Sequence, residues 1–77
     1  MAASKYERER LAGTVRSLFR DKGFGFIRSA DGHSDLFFHR SSVRPGDWER
    51  LHDGASVSYR QEASVKGPRA EAVQAES

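Results

Sequence analysis

The sequence contains no cysteine, one methionine, two prolines and no long apolar run. Without cysteine there can be no disulfide framework and no thiolate metal site. No stretch approaches the length of a membrane-spanning helix, and the charged residues 5–10 do not resemble a secretory signal. We therefore expect a cytoplasmic protein with no cofactor and no metal.

The length and the charge leave room for little more than one small module. A chain of 77 residues can form one domain with a limited core. The net charge is only +2, but residues 13–44 carry six basic and three acidic groups, whereas residues 45–77 carry four and six. A local basic excess attracts nucleic acid through phosphate contacts. Charge alone, however, is more typical of an ordinary mixed surface.

Aromatic residues at every second position dominate the middle of the chain. Residues 22–27 read KGFGFI, and residues 35–39 read DLFFH. In a strand, residues two apart point to the same face. Phe24 and Phe26 therefore share one face of their strand, and Phe37 and His39 share one face of the next strand. Residues 29–34 contain Asp-Gly and predict a hairpin that brings the two strands side by side. The pattern therefore predicts one patch of three phenylalanines and a histidine.

Glycine and positive charge accompany these rings. Gly23 and Gly25 alternate with the phenylalanines, and glycine inside a strand marks a bulge or a close backbone approach. Lys22, Arg28 and Arg40 surround the patch in sequence. Exposed rings among positive charges suit unstacked bases on a phosphate backbone.

The remaining patterns predict a compact all-β domain. Strands are expected at about residues 11–19, 23–28, 34–39, 55–62 and 69–73, with a long loop over 41–51 that contains a helical turn at 41–43. Core residues expected from the alternation are Val15, Leu36, Phe38, Val57 and Tyr59. We assign residues 11–73 to the domain, residues 1–10 to a flexible charged tail and residues 74–77 to a disordered end. Five short strands closing on themselves predict an antiparallel OB-fold β-barrel.

With both motifs in place, the chain resembles the cold-shock domain family, in particular its bacterial single-domain members. Residues 22–27 match the family's first ribonucleoprotein motif and residues 35–39 closely match the second. Residues 13–16 and the Lys-Gly-Pro at 66–68 also fit, so the resemblance covers about residues 11–73. It implies a five-stranded barrel that binds single-stranded RNA and DNA, tolerates pyrimidines, and serves as an RNA chaperone or antitermination regulator in the cold or under stress.

The resemblance, together with the physical argument above, assigns the candidate binding residues. Phe24, Phe26 and Phe37 are expected to stack on bases, His39 to stack or donate a hydrogen bond, and Asp35 to accept one from a base amino group. Basic contacts are expected from Arg16, Lys22 and Lys66. The full candidate set is Arg16, Lys22, Phe24, Phe26, Asp35, Phe37, His39, Arg40, Trp48 and Lys66.

The chain departs from the family's pattern at several positions that bear on binding. Ser17 stands where the family usually has a tryptophan, and Phe19 stands at an asparagine position, where its direction cannot be read from sequence. Arg40 replaces a phenylalanine; it can stack on a base through its planar guanidinium or remain a solvated charge. Trp48 is read as another stacking residue, with a lid over the barrel end as an equal alternative.

The residue types present also allow two other function classes. Asp35, His39 and Ser41 or Ser42 supply the residue types of a nucleophilic triad. Asp35 and His39, however, lie four residues apart on one strand, about 13 Å by strand rise, and no nucleophile motif accompanies them. We therefore expect no enzyme. A protein-interaction module remains the alternative, because aromatics and arginine are also enriched at protein interfaces. A monomer is the simplest expectation.

Overall fold

A computed structural model of the chain describes residues 10–76. It contains five strands and two short 3₁₀ helices. The strands are β1 (Leu11–Phe19), β2 (Phe24–Ser29), β3 (Asp35–His39), β4 (Ser56–Glu62) and β5 (Arg69–Ala75), and the 3₁₀ helices span Arg40–Ser42 and Trp48–Arg50. Within residues 10–76, no helix is long and apolar enough to cross a membrane.

The strands close into a barrel in the order β1-β2-β3-β5-β4. β1 pairs antiparallel with both β2 and β4, so it belongs to both halves of the barrel. β2 pairs with β3 and β4 pairs with β5 in the same sense. The closing contact between β3 and β5 is parallel and short, with Phe37 opposite Arg69. The expected five-stranded OB-fold barrel is confirmed, with this one parallel contact added.

The barrel interior is filled by residues that alternate along the strands. Val15, Leu36, Phe38, Val57 and Tyr59, the five core residues expected from the sequence, are all at most 1% exposed. Further side chains complete the same cluster: Ile27, Val43, Trp48, Leu51, Ala55, Ala70 and Val73. Since neighbouring residues in a strand point to opposite sides, filling the interior this way turns the intervening residues of β1, β2 and β3 outward.

Gly25 allows the core to pack directly against the backbone of β2. A Cβ atom at Gly25 would lie 2.8 Å from the carbonyl oxygen of Ser17 and 2.9 Å from two ring atoms of Phe38. Real side chains do not tolerate such distances, so only glycine fits between the Phe38 ring and β1. Gly23, with φ +77°, lies just before β2 in the turn. The two glycines of the KGFGFI motif therefore serve different purposes, a close approach and a turn.

The ends of the elements differ in places from the expected ones. β5 continues to Ala75, because Gln74 and Ala75 pair with Ser58 and Val57 of β4. Arg10, assigned to the tail, donates hydrogen bonds to Ser58 Oγ (2.7 Å) and to the carbonyl of Ala72 (2.8 Å). Residues 1–9 and Ser77, which complete the two expected terminal segments, lie outside the described residues.

Asp47 ties the long loop to β5. Its carboxylate is 4% exposed and accepts hydrogen bonds from the backbone N–H of Ala75 and from Arg44, each at 2.9 Å. Arg50 lies 3.6 Å from the second oxygen. The Ala75 N–H first, and Arg44 after it, lower the pKa of Asp47 below its ordinary value of 3.8. The charged form of Asp47 therefore stabilises the folded state.

Replacing Gly25 by alanine is expected to lower the free energy of unfolding by about 1–3 kcal/mol, the usual cost of overpacking a core. Phe38 contacts the buried Trp48, with ring centroids 6.4 Å apart, so Trp48 fluorescence during urea unfolding reports the change. Ser56→Ala, at an exposed position of β4, is the control and should leave stability unchanged. A Gly25→Ala variant as stable as the parent would refute the close-packing argument.

Replacing Asp47 by asparagine is expected to destabilise the protein near pH 7 and to make no difference in strong acid. A carboxyl whose pKa is lowered by folding stabilises the fold above its unfolded value of 3.8, and that contribution disappears as the pH falls through the folded pKa. Thermal unfolding of both proteins between pH 7 and pH 2.5 measures the difference. A gap in Tm that stays constant over this range would contradict the assignment.

Candidate nucleic-acid interface

Phenylalanine rings from two neighbouring strands meet on the outside of the barrel. Phe24 and Phe26 extend from β2 and Phe37 from β3, and Phe26 and Phe37 are direct cross-strand partners. The ring centroid of Phe37 lies 5.6 Å from that of Phe24 and 5.9 Å from that of Phe26. The structure thus brings together the three rings that the sequence placed on one face. Phe37 is 38% exposed although it is a large apolar side chain.

A fourth ring, Phe19 at the end of β1, completes this surface. Its centroid lies 5.0 Å from that of Phe24 and 6.4 Å from that of Phe26, and it too is 38% exposed. Phe19 was absent from the candidate set because its direction depends on β1. The available signal was its two-residue spacing from Ser17, the position where the family carries a ring. Phe19, Phe24, Phe26 and Phe37 are called the aromatic face below.

His39 lies next to the aromatic face as the cross-strand partner of Phe24. Its Nδ1 accepts a hydrogen bond from the backbone N–H of Ser41 at 3.0 Å, and Ser41 Oγ lies 2.9 Å from the same nitrogen. Because Nδ1 is an acceptor in this contact, the neutral ring carries its proton on Nε2. His39 can therefore offer an N–H donor to a ligand while its orientation is held by the first 3₁₀ helix.

Asp35 is held by two arginines. Its two oxygens accept from Arg16 Nη1 at 2.9 Å and from Arg28 Nε at 3.1 Å. Asp35 and Arg28 are cross-strand partners, one alternate position beyond Phe37 and Phe26, so this ion triad continues the aromatic face. The expected contact of Asp35 with a base amino group would have to compete with both arginines. The carboxylate is also oriented by these arginines and not by His39, which argues against a catalytic triad.

Trp48 does not lie on this surface. It is 7% exposed and belongs to the core, where its ring meets that of Phe38 edge to face. The expected stacking role does not fit this burial, and the structure favours the alternative of a lid over the barrel. The reason is local: the second 3₁₀ helix begins at Trp48, and the buried Asp47 carboxylate fixes the preceding residue.

Arg40 lies against this lid. Its guanidinium carbon is 5.9 Å from the centroid of the Trp48 ring, within the range of a cation–π interaction. Arg40 is exposed, and its backbone N–H donates to the carbonyl of Gly23 at 2.8 Å. In this arrangement the Arg40 guanidinium lies over an aromatic ring of the protein itself, while the side chain keeps contact with solvent.

The two lysines of the candidate set lie in turns at different places. Lys22 is exposed in the turn between β1 and β2. Lys66 is exposed in the loop between β4 and β5, where it lines a groove of about 510 Å³ together with Phe37, Val65 and Pro68. The groove begins at the Phe37 end of the aromatic face, so Lys66 is placed to add a positive charge there.

The composition of the face suits a polymer that combines planar rings with negative charge. Rings supply stacking area, and basic side chains lie at its margins. Across residues 10–76 there is no cluster of three or more histidine, aspartate or glutamate side chains that could hold a metal ion. The arrangement favours recognition by stacking and by charge.

Comparison with known proteins gives the same picture. The family described as the 'Cold-shock' DNA-binding domain matches residues 11–76. The cold shock-like protein CspB of Yersinia pestis is 39% identical over 61 residues, which cover 79% of this chain and 87% of that protein. Cold shock protein 2 of Lactiplantibacillus plantarum is 42% identical over 62 residues, which cover 80% and 92%.

A solved structure of the drosophila Unr CSD456 superposes with a TM-score of 0.76 at 25% sequence identity. The match covers 97% of this chain and 30% of that one, so the chain spans less than a third of the larger protein. The family match extends over almost all of the barrel, from the start of β1 to the end of β5. The chain belongs to the cold-shock DNA-binding domain family.

Proposed function

We propose that the protein binds single-stranded RNA or DNA through the aromatic face. The observation that carries the proposal is the grouping of four phenylalanine rings, each within 6.4 Å of a neighbour, on the outside of the barrel. In a small soluble domain, such rings are ordinarily buried. An exposed cluster of this kind marks an interaction surface.

Stacking explains why single strands are the favoured ligand. A base in a duplex has both faces covered by its neighbours, whereas an unpaired base can place one face on a phenylalanine ring. Such a contact is worth about 1–3 kcal/mol per base and accepts any base, because every base has a π-face. Little sequence preference is therefore expected, with pyrimidines tolerated. No helix that could enter the major groove of a duplex is found within residues 10–76.

Phosphate contacts are assigned to basic side chains at the margins of the face. Lys22 and Lys66 extend from the two turns, and Arg16 and Arg28 lie beyond Phe26 and Phe37. Nε2–H of His39 adds a donor beside Phe24. Because phosphate neutralisation releases condensed counterions, the affinity should fall as the salt concentration rises.

The proposed cellular role follows from keeping RNA or DNA strands unpaired. A protein that stacks on unpaired bases opposes the re-formation of RNA secondary structure, which is the action of an RNA chaperone or an antitermination regulator in the cold or under stress. The relatives named as cold shock proteins support this role. The proposal places the protein in the cytoplasm as a monomer that carries the whole binding surface on one chain, with no catalytic step and no cofactor.

The direct test is fluorescence anisotropy of a labelled oligothymidylate heptamer, with a duplex of mixed sequence as the comparison ligand. Binding of the single strand at concentrations well below those needed for the duplex is the expected result. If a folded protein bound neither ligand, nucleic-acid binding by this face would be refuted, and the alternative of a protein-interaction surface would take its place.

Phe24→Ala and Phe37→Ala are each expected to weaken binding of the heptamer by about tenfold, the loss of one stacked base. Both rings are on the surface, so far-UV circular dichroism should be unchanged. Leu11→Ala is the matched control: Leu11 is also exposed and apolar (41%), but it lies at the opposite end of β1 from Phe19. Equal affinity of all four proteins would exclude stacking on these rings.

Asp35→Asn is expected to raise the affinity for the heptamer at low salt, severalfold, and to steepen its dependence on salt. Without the carboxylate charge, Arg16 and Arg28 lose their shared partner and can pair with phosphates. Titrations at several salt concentrations measure the slope. A lower affinity in the variant would instead support the base contact that the sequence suggested for Asp35.

A further inference from the structure

The aromatic face has an unequal distribution of rings along β1. Residue 17 is the cross-strand partner of Phe26, and residue 19 is the partner of Phe24, so both positions of β1 face the same side. Ser17 leaves the place beside Phe26 without a ring. Phe19 puts a ring beside Phe24, two residues further along the strand. Relative to the pattern expected for the family, one aromatic position is lost and another is gained toward the β1–β2 turn.

A bulge in β1 sets this register. Val15 pairs with Ile27 and Ser17 pairs with Phe26, so Arg16 is the additional residue. Before the bulge, Val15 faces the core; after it, Leu18 packs against the core and Phe19 turns outward. Bulges commonly re-aim the side chains that follow them.

The backbone on both sides of Phe19 is anchored. The N–H of Leu18 donates to Asp53 Oδ1 at 3.0 Å. The guanidinium of Arg20 donates to the carbonyl oxygens of Trp48 (3.1 Å) and Glu49 (3.2 Å), and also to that of Leu51. A ring presented from an anchored backbone loses less entropy on binding.

The carbonyl of Phe19 is itself occupied, because it accepts from the N–H groups of Lys22 (3.1 Å) and Gly23 (2.9 Å). The turn that carries Lys22 is therefore built onto Phe19. A ring and a positive charge are fixed at the same end of the face, which is the combination that a nucleotide with its phosphate requires.

Phe19, Phe24 and Phe37 form a row in which adjacent rings have similar orientations. Neighbouring planes are inclined by 35° and 36°, and the centroids are 5.0 Å and 5.6 Å apart. Phe26 stands nearly perpendicular to Phe19 and Phe24, at 90° and 88°. A centroid distance of 5.0 Å is too short for two rings that lie side by side in one plane, so the Phe19 and Phe24 rings partly overlap. Phe19 ends the row and is 38% exposed, so a base can stack on the side of its ring that faces away from Phe24.

We propose that Phe19 is a stacking residue that adds one nucleotide position at the β1–β2 turn end of the aromatic face, in place of the position lost at Ser17. This inference rests on the proposed function and states where the bound strand extends. The competing explanation is that Phe19 only supports the ring of Phe24 and never contacts a base.

The length dependence of binding separates these two explanations. A homopolymer too short to cover the face can slide onto the remaining rings, so loss of an outer position affects only longer strands. Phe19→Leu keeps the apolar bulk beside Phe24 and removes the π-face. We expect it to weaken binding of an oligothymidylate heptamer by about fivefold or more and to leave binding of a trimer within about twofold of the parent protein. An equal loss at every length would overturn the proposal, since it would show that Phe19 acts only through Phe24.

Phe19→Trp supplies a direct readout of contact. Trp48 is the one tryptophan of the sequence, so the change in emission of the parent protein on adding the heptamer is subtracted, and the remaining change reports residue 19. Quenching of the new indole by stacked thymine is expected, with affinity at least equal to that of the parent. Binding of the heptamer without any change in emission would refute the contact.

Phe24→Ala, measured in the same series, distinguishes the two levels of the argument. Suppose that the parent protein binds the heptamer, that Phe24→Ala weakens binding of both the trimer and the heptamer, and that Phe19→Leu has no effect. Only the additional nucleotide position is then refuted. If the parent protein does not bind, or if Phe24→Ala has no effect, the proposed function itself is lost. Circular dichroism and the Trp48 emission of the free proteins establish that each variant is folded.

Discussion

The contact of the Phe38 ring with the bare backbone of Gly25 is the constraint on which the aromatic face depends. It lets β2 approach both the core and β1 more closely than any side chain would permit. With the interior side of β2 taken up in this way, the side chains before and after Gly25 must point outward. Phe24 and Phe26 are therefore half-buried on the outer side of the barrel, and this position follows from close packing on the other side of the strand.

Close packing of the backbone also occurs near the start of β1. Gly13 is as restricted as Gly25, because a Cβ atom there would lie 2.6 Å from the carbonyl oxygen of Arg28 and 2.8 Å from a side-chain carbon of Ile27. β1 pairs with β2 from Gly13 to Phe19 and with β4 from Leu11 to Thr14, so Gly13 and Thr14 have partners on both sides. β1 can pair with two strands because Gly13 has no side chain at the point of closest approach and because the bulge at Arg16 shifts the register. The bulge in turn decides which residues of β1 reach the aromatic face.

Contacts within the protein itself reduce the positive charge that the aromatic face offers to a ligand. Asp35 neutralises part of the charge of Arg16 and Arg28, and Arg40 lies on the Trp48 ring. Such exposed ion pairs add little to stability, but they lower the positive potential that a phosphate backbone meets. Where rings supply most of a surface's affinity for a strand, added salt weakens binding only through the contacts that lysines and arginines make with phosphates. The balance between stacking and charge is thus set by a carboxylate that lies beside the rings.

Alternation and glycine placement predicted the five strands, five core residues and the cluster of Phe24, Phe26 and Phe37, because period-two patterns directly encode which face of a strand is buried. Lys66 could be placed in a turn because Gly-Pro follows it in the sequence. The assignments of Trp48 and Phe19 could not be made this way. Both lie where local pattern ends: Trp48 in an irregular loop, and Phe19 beyond a bulge that adds one residue to the count.

Local spacing and short motifs were enough to predict the five strands, five of the interior residues and the resemblance to the family. Tertiary packing was needed to place the Trp48 ring in the core, to bring Phe19 beside Phe24, and to pair Asp35 with two arginines at once. Each of these depends on contacts between residues far apart in the chain or on the bulge at Arg16. Such contacts follow from how the strands close around one interior, and no local pattern specifies them.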